Sequence, residues 1–412
     1  MNILTTKAPY IIFAIYAIVS LFTDVYSFPN SPFFGVDFHS YWYAGHFVHQ
    51  GSDPYQAAID GASPQLPITY IDGTVVTQEP VGQPHLMKVP ANTAPIVLLL
   101  SIFALLSWPN AVWVWFICNI IFAIATAIVL TNLFMNKPKT SDYLLSILLF
   151  ISLFSTKSIF HTGQTSLIVG LLMFSTILLA DRNRLAAGLA LGIALSKYSL
   201  SLPVFLFLWL KRKRSLVIIA ILTQLLGVFA LAWLTQTSPV AIITAYLAMI
   251  AAHIGQPGIH LANYFPENNI IAIALIIGIT IPMLFVIHYW TQQERFNLPE
   301  DQRKMLDLSV MALFNLHILL AFYHREYDAI IWVVSFFVLF LGLKNNVWDL
   351  PKSVKIMILA FLIFSVFWMT RIELLAHLLP NTIANIITTT VLMLSFVITF
   401  LLVHRTRRSS EQ

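Results

Sequence analysis

The run VWVWFICNIIFAIATAIVLTNLF, residues Val112–Phe134, contains no acid, lysine or arginine from end to end. A hydrocarbon core about 30 Å thick is crossed by about 20 apolar residues in helical form, so this stretch reads as a membrane helix. Runs of comparable length stand at Pro9–Phe28, Ile270–Trp290, Val354–Leu375 and Ile386–Val403. The composition agrees: 58% of the 412 residues are hydrophobic, 10% are charged, and the mean hydropathy is +0.81. Soluble domains carry about 25% charge, so that class is excluded. Lipid offers the backbone no hydrogen-bond partner, and runs of this length satisfy it as helices rather than as barrel strands. The predicted fold class is an all-α polytopic membrane protein, one domain over residues 1–412, with roughly eleven to thirteen transmembrane helices counted from runs of sufficient length.

Met1–Lys7 carries one positive charge, and the first apolar run ends in Tyr26-Ser27-Phe28-Pro29 without a small-x-small cleavage pattern. It reads as a retained helix rather than a signal. The single cysteine, Cys118, lies inside an apolar helix and reads as a packing residue. Lys211-Arg212-Lys213-Arg214, Arg295/Arg303/Lys304, Lys344/Lys352/Lys355 and Arg405/Arg407/Arg408 are expected on the cytoplasmic side. Residues 29–91 carry Asp37, Asp53, Asp60, Asp72 and Glu79 against Lys88 alone, and form the expected outer loop. Thr235–Asn269 and Phe322–Asp328 are expected on that outer side too. The same count puts Lys137/Lys139 and Arg182/Arg184 outside, against the positive-inside tendency. One resolution is that some short segments between Ala94 and Leu210 do not cross fully. Leu185–Leu210 suits this, because Lys197 sits at its centre and Pro203 follows, a pattern for a broken helix lining a cavity.

The outer loop opens with Gly35-Val36-Asp37-Phe38-His39-Ser40-Tyr41-Trp42-Tyr43-Ala44 and runs on through Gly51, Asp53, Pro54 and Tyr55. A carboxylate just outside a first membrane helix stays ionised while meeting a substrate whose tail remains in the bilayer, which makes Asp37 the first candidate for chemistry. Residues 38–50 are expected as a short juxtamembrane helix lying flat on the membrane, with Phe38, Tyr41, Trp42 and Phe47 at the interface. His39 reads either as a substrate contact or as a solvated surface group. His161 and Gln164 are expected at a helix start, where Thr162 or Thr165 could simply cap. Residues 323–328 crowd six polar-capable side chains into one turn, either a solvated connection capped by Asp328 or part of a site. His253 and His260 are too few for a metal site, so no metal is assigned. Phosphate-loop, zinc-protease and serine-hydrolase motifs are absent from the sequence. The pI near 9.2 reflects Lys/Arg clusters suited to anionic membrane lipids, and nucleic acid is not implied.

Asp37-x3-Tyr41-x2-Ala44 followed by Gly51-x2-Pro54-Tyr55 resembles the first outer-loop signature of glycosyltransferase family 87. His161-Thr162-Gly163-Gln164 resembles that family's Gly-Gln turn. Ala187–Lys197 followed by Pro203 resembles its glycine-rich helix ending in lysine, and Tyr323–Asp328 its late Tyr-Asp element. The resemblance implies a GT-C-like bundle in a bacterial inner membrane, with the site facing the periplasm or exterior. It implies a polyprenyl-phosphate sugar donor, a lipid or glycan acceptor, and no cofactor, with a divalent cation left open. The transferred hexose is expected to be mannose, although the late element lacks the Trp-Asp-His-His pattern of the mannosyltransferase members. By analogy Asp37 is the general base of an inverting transfer. Lys197, His324 and Arg325 are the expected phosphate partners, and His39, Tyr41, Tyr55, Gln164, Tyr327 and Asp328 the further substrate-binding residues. Lys197 retains a second reading as a snorkelling or structurally paired lysine. The rival functions are a transporter or flippase of a lipid-linked sugar or polar solute, and a glycan polymerase or ligase.

Overall fold

The structure is a computed structural model that describes residues 34–77, 90, 92–135, 137–251, 269–291, 300–321, 326–344, 348, 350–376 and 381–411, together with Ile15, Ile18 and Val19. Most of the first apolar run, His253, His260, His324 and Arg325 lie outside these residues, as does the side chain of Tyr327. The chain is helical almost throughout. Among the described residues one small antiparallel ladder, Ile68–Thr69 with Val75–Val76, caps the outer loop.

Among the described residues six helical stretches have the length and apolarity to cross a membrane: Trp108–Phe134, Arg184–Leu210, Arg214–Leu234, Gln302–Ala321, Lys352–Met369 and Ile386–Val403. Thr140–Ser152 and Phe154–Thr162, bent by 62° between them, amount to a seventh. Ala94–Leu105, Ser166–Leu179, Pro239–Ile250 and Ile276–Thr291 are shorter. The apolar runs of the sequence thus divide into full-length helices and short ones.

The stretch Arg184–Leu210 is long enough for one crossing, yet it doubles back. Ser166–Leu179 begins beside Lys197, whose Nζ donates to Ser166 Oγ at 2.6 Å, and ends at the turn where Asp181 pairs with Lys213. Arg184 and residues 212–215 line one cleft at that same lower end. Gly188 faces Ile219 and Gly192 faces Thr223, so Arg184–Ala194 rises in parallel with Arg214–Leu234. The chain then turns through the 3-10 segment Leu195–Lys197 and descends as Tyr198–Leu210. Each limb holds about 14 residues, hence about 20 Å of rise. That falls short of a core of about 30 Å, so neither limb crosses alone and Lys197 forms the tip of a hairpin of half-length limbs.

This hairpin removes the charge conflict. Arg182 and Arg184 lie on the side of Lys211–Arg214 because two half-length limbs separate them. Ala94–Leu105 also fails to cross: Thr93 N donates to Ser196 O at 3.1 Å beside the hairpin tip, while Ile71 N donates to Leu105 O at 3.0 Å, so the segment runs between the tip and the loop of residues 34–77. Trp108–Phe134 therefore starts on the side of the loop that carries Asp72, which accepts from Ser107 and Asn110, and delivers Lys137 and Lys139 to the opposite side.

Close helix contact sets the rising limb. A Cβ at Gly188 would stand 2.6 Å from Ile219, and one at Gly192 would collide with the Thr223 side chain. Small residues four apart let two backbones approach in lipid, where no hydrophobic effect drives helices together. Gly192→Leu is expected to cost about 1–3 kcal/mol by overpacking, read as a lowered thermal midpoint of the purified protein.

In the outer loop, Val36–His49 is a helix as the sequence suggests, but it does not lie flat on the membrane. Phe38, Tyr41, Trp42 and Phe47 are all buried in protein. Phe38 stacks on Trp115 at 5.0 Å and meets Phe103 edge-on at 5.4 Å, and Ala94–Leu105 and Trp108–Phe134 cover the helix. A helix whose residues 38–48 are all buried belongs to a core. Asp53 caps Pro54–Ile59, accepting from Tyr55 N at 2.9 Å, with proline at the first helical position where its missing N–H costs nothing. This helix packs on Pro239–Ala251, with the Tyr55 and Tyr246 rings 5.4 Å apart. Two of the three outer segments expected from sequence are therefore in contact.

Candidate active site

One main-chain hydrogen bond and the close packing of Gly163 bring Asp37 to the 161–165 connection, which Trp115 also holds. Gly35 N donates to His161 O at 2.8 Å, Trp115 Nε1 donates to Gly163 O at 2.7 Å, and Gly163, at φ 76°, leaves no room for a Cβ against Phe38. Only glycine meets both demands at position 163. His161 and Thr162 close the helix Phe154–Thr162, and Gln164 lies between helices, not at the start of one. Thr165 occupies the position before Ser166–Leu179, yet its hydroxyl does not cap that helix.

It serves Tyr41 instead. Tyr41 OH donates to Asn92 Oδ1 and contacts Thr165 Oγ1, each at 2.9 Å, and Tyr55 OH donates to Asn92 O at 2.7 Å. Burial raises the Tyr41 phenol well above its ordinary pKa, the bond to Thr165 opposes this, and the charges of Asp37 and Asp328 raise it further. Two carboxylates from opposite ends of the chain thus act on one ring. Asp37 and Tyr41, four apart, share a face of their helix. Asp37 is partly exposed.

One residue beyond Thr165, Ser166 joins the hairpin tip. Lys197 Nζ donates to Ser166 Oγ and to Asp328 Oδ1, both at 2.6 Å, and Ser166 Oγ donates to Asp328 Oδ1 at 3.0 Å. The side chains are 12% and 6% exposed, so the pair is desolvated. Asp328 sits inside the 3-10 segment Glu326–Trp332, so it does not cap a following helix. The third expected outer segment thereby meets the hairpin tip and the start of Ser166–Leu179. Isolated charges at such depth cost several kcal/mol each, which the pairing and the serine offset.

His39 faces elsewhere. With Trp42 and His46 it forms an i, i+3, i+7 stripe packed on Trp108 and Tyr70: His39 to Trp108 is 4.9 Å, Trp42 to His46 is 4.4 Å. Burial lowers the pKa of His39 to about 4; burial, with the charges of His49 and His39, lowers that of His46 to about 4. Both are neutral in the fold at pH 7. An unfolded chain takes up these protons from about pH 6.5 downward. Stability is therefore full above about pH 6.5 and falls as pH drops toward about 4. The thermal midpoint should decline over that window, less steeply in a His39→Phe/His46→Phe variant.

Sequence patterns did not single out Asn92, Ser166 or Lys157, and offered Thr165 only as a helix cap. Asn92 Nδ2 and Tyr246 OH are buried without a hydrogen-bond partner, so the cluster keeps donors to spare. Lys157 is buried on Phe154–Thr162, which packs against the Glu326–Trp332 segment. Its signal was a lysine within an apolar stretch, the one that marked Lys197. Among the described residues no group of three His, Cys, Asp or Glu side chains could hold a metal ion.

The family model of glycosyltransferase family 87 matches residues 92–394. It takes in Gln164, Lys197 and residues 324–328, and begins after Asp37, His39, Tyr41 and Tyr55. No curated protein and no solved structure matches the chain.

Proposed function

The chain belongs to glycosyltransferase family 87, and from that premise we propose that it transfers a hexose, mannose first, from a polyprenyl-phosphate donor to a lipid or glycan acceptor. The site would open on the outer face of a bacterial inner membrane. The observation that carries this reading is a buried lysine, hydrogen-bonded to Ser166 and Asp328 at the tip of a half-length hairpin, which this reading sets within the bilayer, and linked through Thr165 and Tyr41 to the helix bearing Asp37. A lipid-linked donor presents its phosphate at about that depth, and an intramembrane cation marks a functional site by default.

In the proposed reaction the Asp37 carboxylate accepts the proton of an acceptor hydroxyl. The hydroxyl oxygen bonds to the anomeric carbon as the bond from that carbon to the phosphate oxygen breaks, and polyprenyl phosphate departs with the electron pair. Attack opposite the leaving group inverts the centre. Asp37 needs no tuning for this, since an ordinary carboxylate is ionised at neutral pH. Lys197 and Ser166, with His324 and Arg325 from the adjoining turn, would bind the phosphate as its charge grows. Asn92 and Tyr246, with unpartnered donors beside Tyr41 and Tyr55, suit the hydroxyls of a sugar; Gln164, Tyr327 and Asp328 complete the substrate-binding set, and His39 packs the far face of its helix.

The test is reconstitution of the purified protein in liposomes with labelled polyprenyl-phosphate-mannose or polyprenyl-phosphate-glucose and a lipid extract. Transfer from the mannose donor with inverted anomeric configuration is the expected result. Movement of intact donor across the bilayer without transfer would replace it with the transporter function.

A further inference from the structure

At the opposite end of the hairpin from Lys197, a cleft opens between two turns: Ala180 and Arg184 form one wall, and Arg212, Lys213, Arg214, Ser215 and Leu216 the other. Four cations line it. Lys213 pairs with Asp181, and among the described residues no carboxylate pairs with Arg184, Arg212 or Arg214. Arg212 holds a φ of 56°, a left-handed conformation that side-chain-bearing residues rarely adopt and that sets the direction of the turn from Leu210 into Arg214–Leu234.

What lies directly beyond the cations narrows the ligand. Leu185 and Leu189 on one helix, and Ile218, Ile221 and Leu222 on the other, are exposed within two turns of the cleft. These helices touch along Gly188 and Gly192, so their outward apolar side chains flank one continuous seam. A water-soluble phosphate would use the cations and leave the seam idle. A molecule with an anionic head and acyl chains uses both.

The geometry points to this cleft as a binding site for the headgroup of an anionic phospholipid, with its chains in the seam between Arg184–Ala194 and Arg214–Leu234. Arginine forks match phosphate oxygens in pairs, and basic residues at a membrane surface attract anionic lipid. The seat is at the base of the limb that carries Lys197, so a bound lipid would brace both turns from which the hairpin rises. It is separated from Lys197 by the whole rising limb, about 20 Å of helix, and therefore stands apart from the donor site.

Native mass spectrometry of the purified full-length protein, offered phosphatidylglycerol and phosphatidylcholine in equal amounts, tests this. The wild type should retain phosphatidylglycerol about tenfold over phosphatidylcholine. Arg184→Gln with Arg214→Gln should erase that preference, while Arg184→Lys with Arg214→Lys keeps most of it. Equal retention of the two lipids by the wild type, or an unchanged preference in the glutamine pair, overturns the site. Displacement of the lipid by millimolar inorganic phosphate would identify a free-phosphate site and overturn the lipid assignment.

Discussion

Asp37→Asn is expected to lower sugar transfer by about 10²–10⁴-fold, the usual worth of a positioned general base, with donor affinity and thermal midpoint close to wild type. Asparagine fills the same volume at the first turn of Val36–His49, and the bond from Ser40 Oγ to the residue-37 carbonyl is unaffected. The small favourable interaction of an acid with a helix start, about 0.3–1 kcal/mol, is lost. Kinetically the defect should appear in kcat, because proton removal occurs in the transition state and not in the bound ground state. A variant that binds donor normally and turns over at the wild-type rate would remove Asp37 from the chemistry.

Lys197→Met is expected to weaken donor binding and to destabilise the fold by about 3–5 kcal/mol, since it takes the hydrogen-bonding cation from Asp328 in a desolvated site. The double change Lys197→Met/Asp328→Asn removes both charges and should recover most of the stability, because a buried ion pair is often worth little against a neutral replacement. Donor affinity should stay low in the double variant. That split separates phosphate binding from scaffolding: if stability and donor affinity return together, Lys197 acts through structure alone.

The sequence announces the membrane helices plainly because a bilayer imposes length and apolarity on each segment by itself. The reversal at Lys197 was legible only indirectly, through a central lysine, a proline six residues on, and arginines on an apparently wrong side. Its direction depends on Gly188 and Gly192 meeting Ile219 and Thr223, a contact that no local pattern encodes. Phe38, Tyr41, Trp42 and Phe47 suggested the membrane interface because that belt and a protein core favour the same aromatic residues. Coverage by Phe103, Trp108 and Trp115 decides for the core. Asp37 stood out as an acid among oily neighbours. Asn92, Thr165 and Ser166 did not, since small polar residues before an apolar run ordinarily cap helices. Only the fold reveals that Thr165 turns to Tyr41, and Ser166 to Lys197.

Single-turnover transfer from labelled polyprenyl-phosphate-mannose, followed with wild type, Asp37→Asn and Lys197→Met/Asp328→Asn in the same liposomes, tests most directly whether these residues form one site. The expected pattern is transfer by the wild type, bound but untransferred sugar with Asp37→Asn, and little bound donor with the double variant. Undiminished transfer by either variant, or a wild type that binds the donor and never transfers its sugar, would contradict the account.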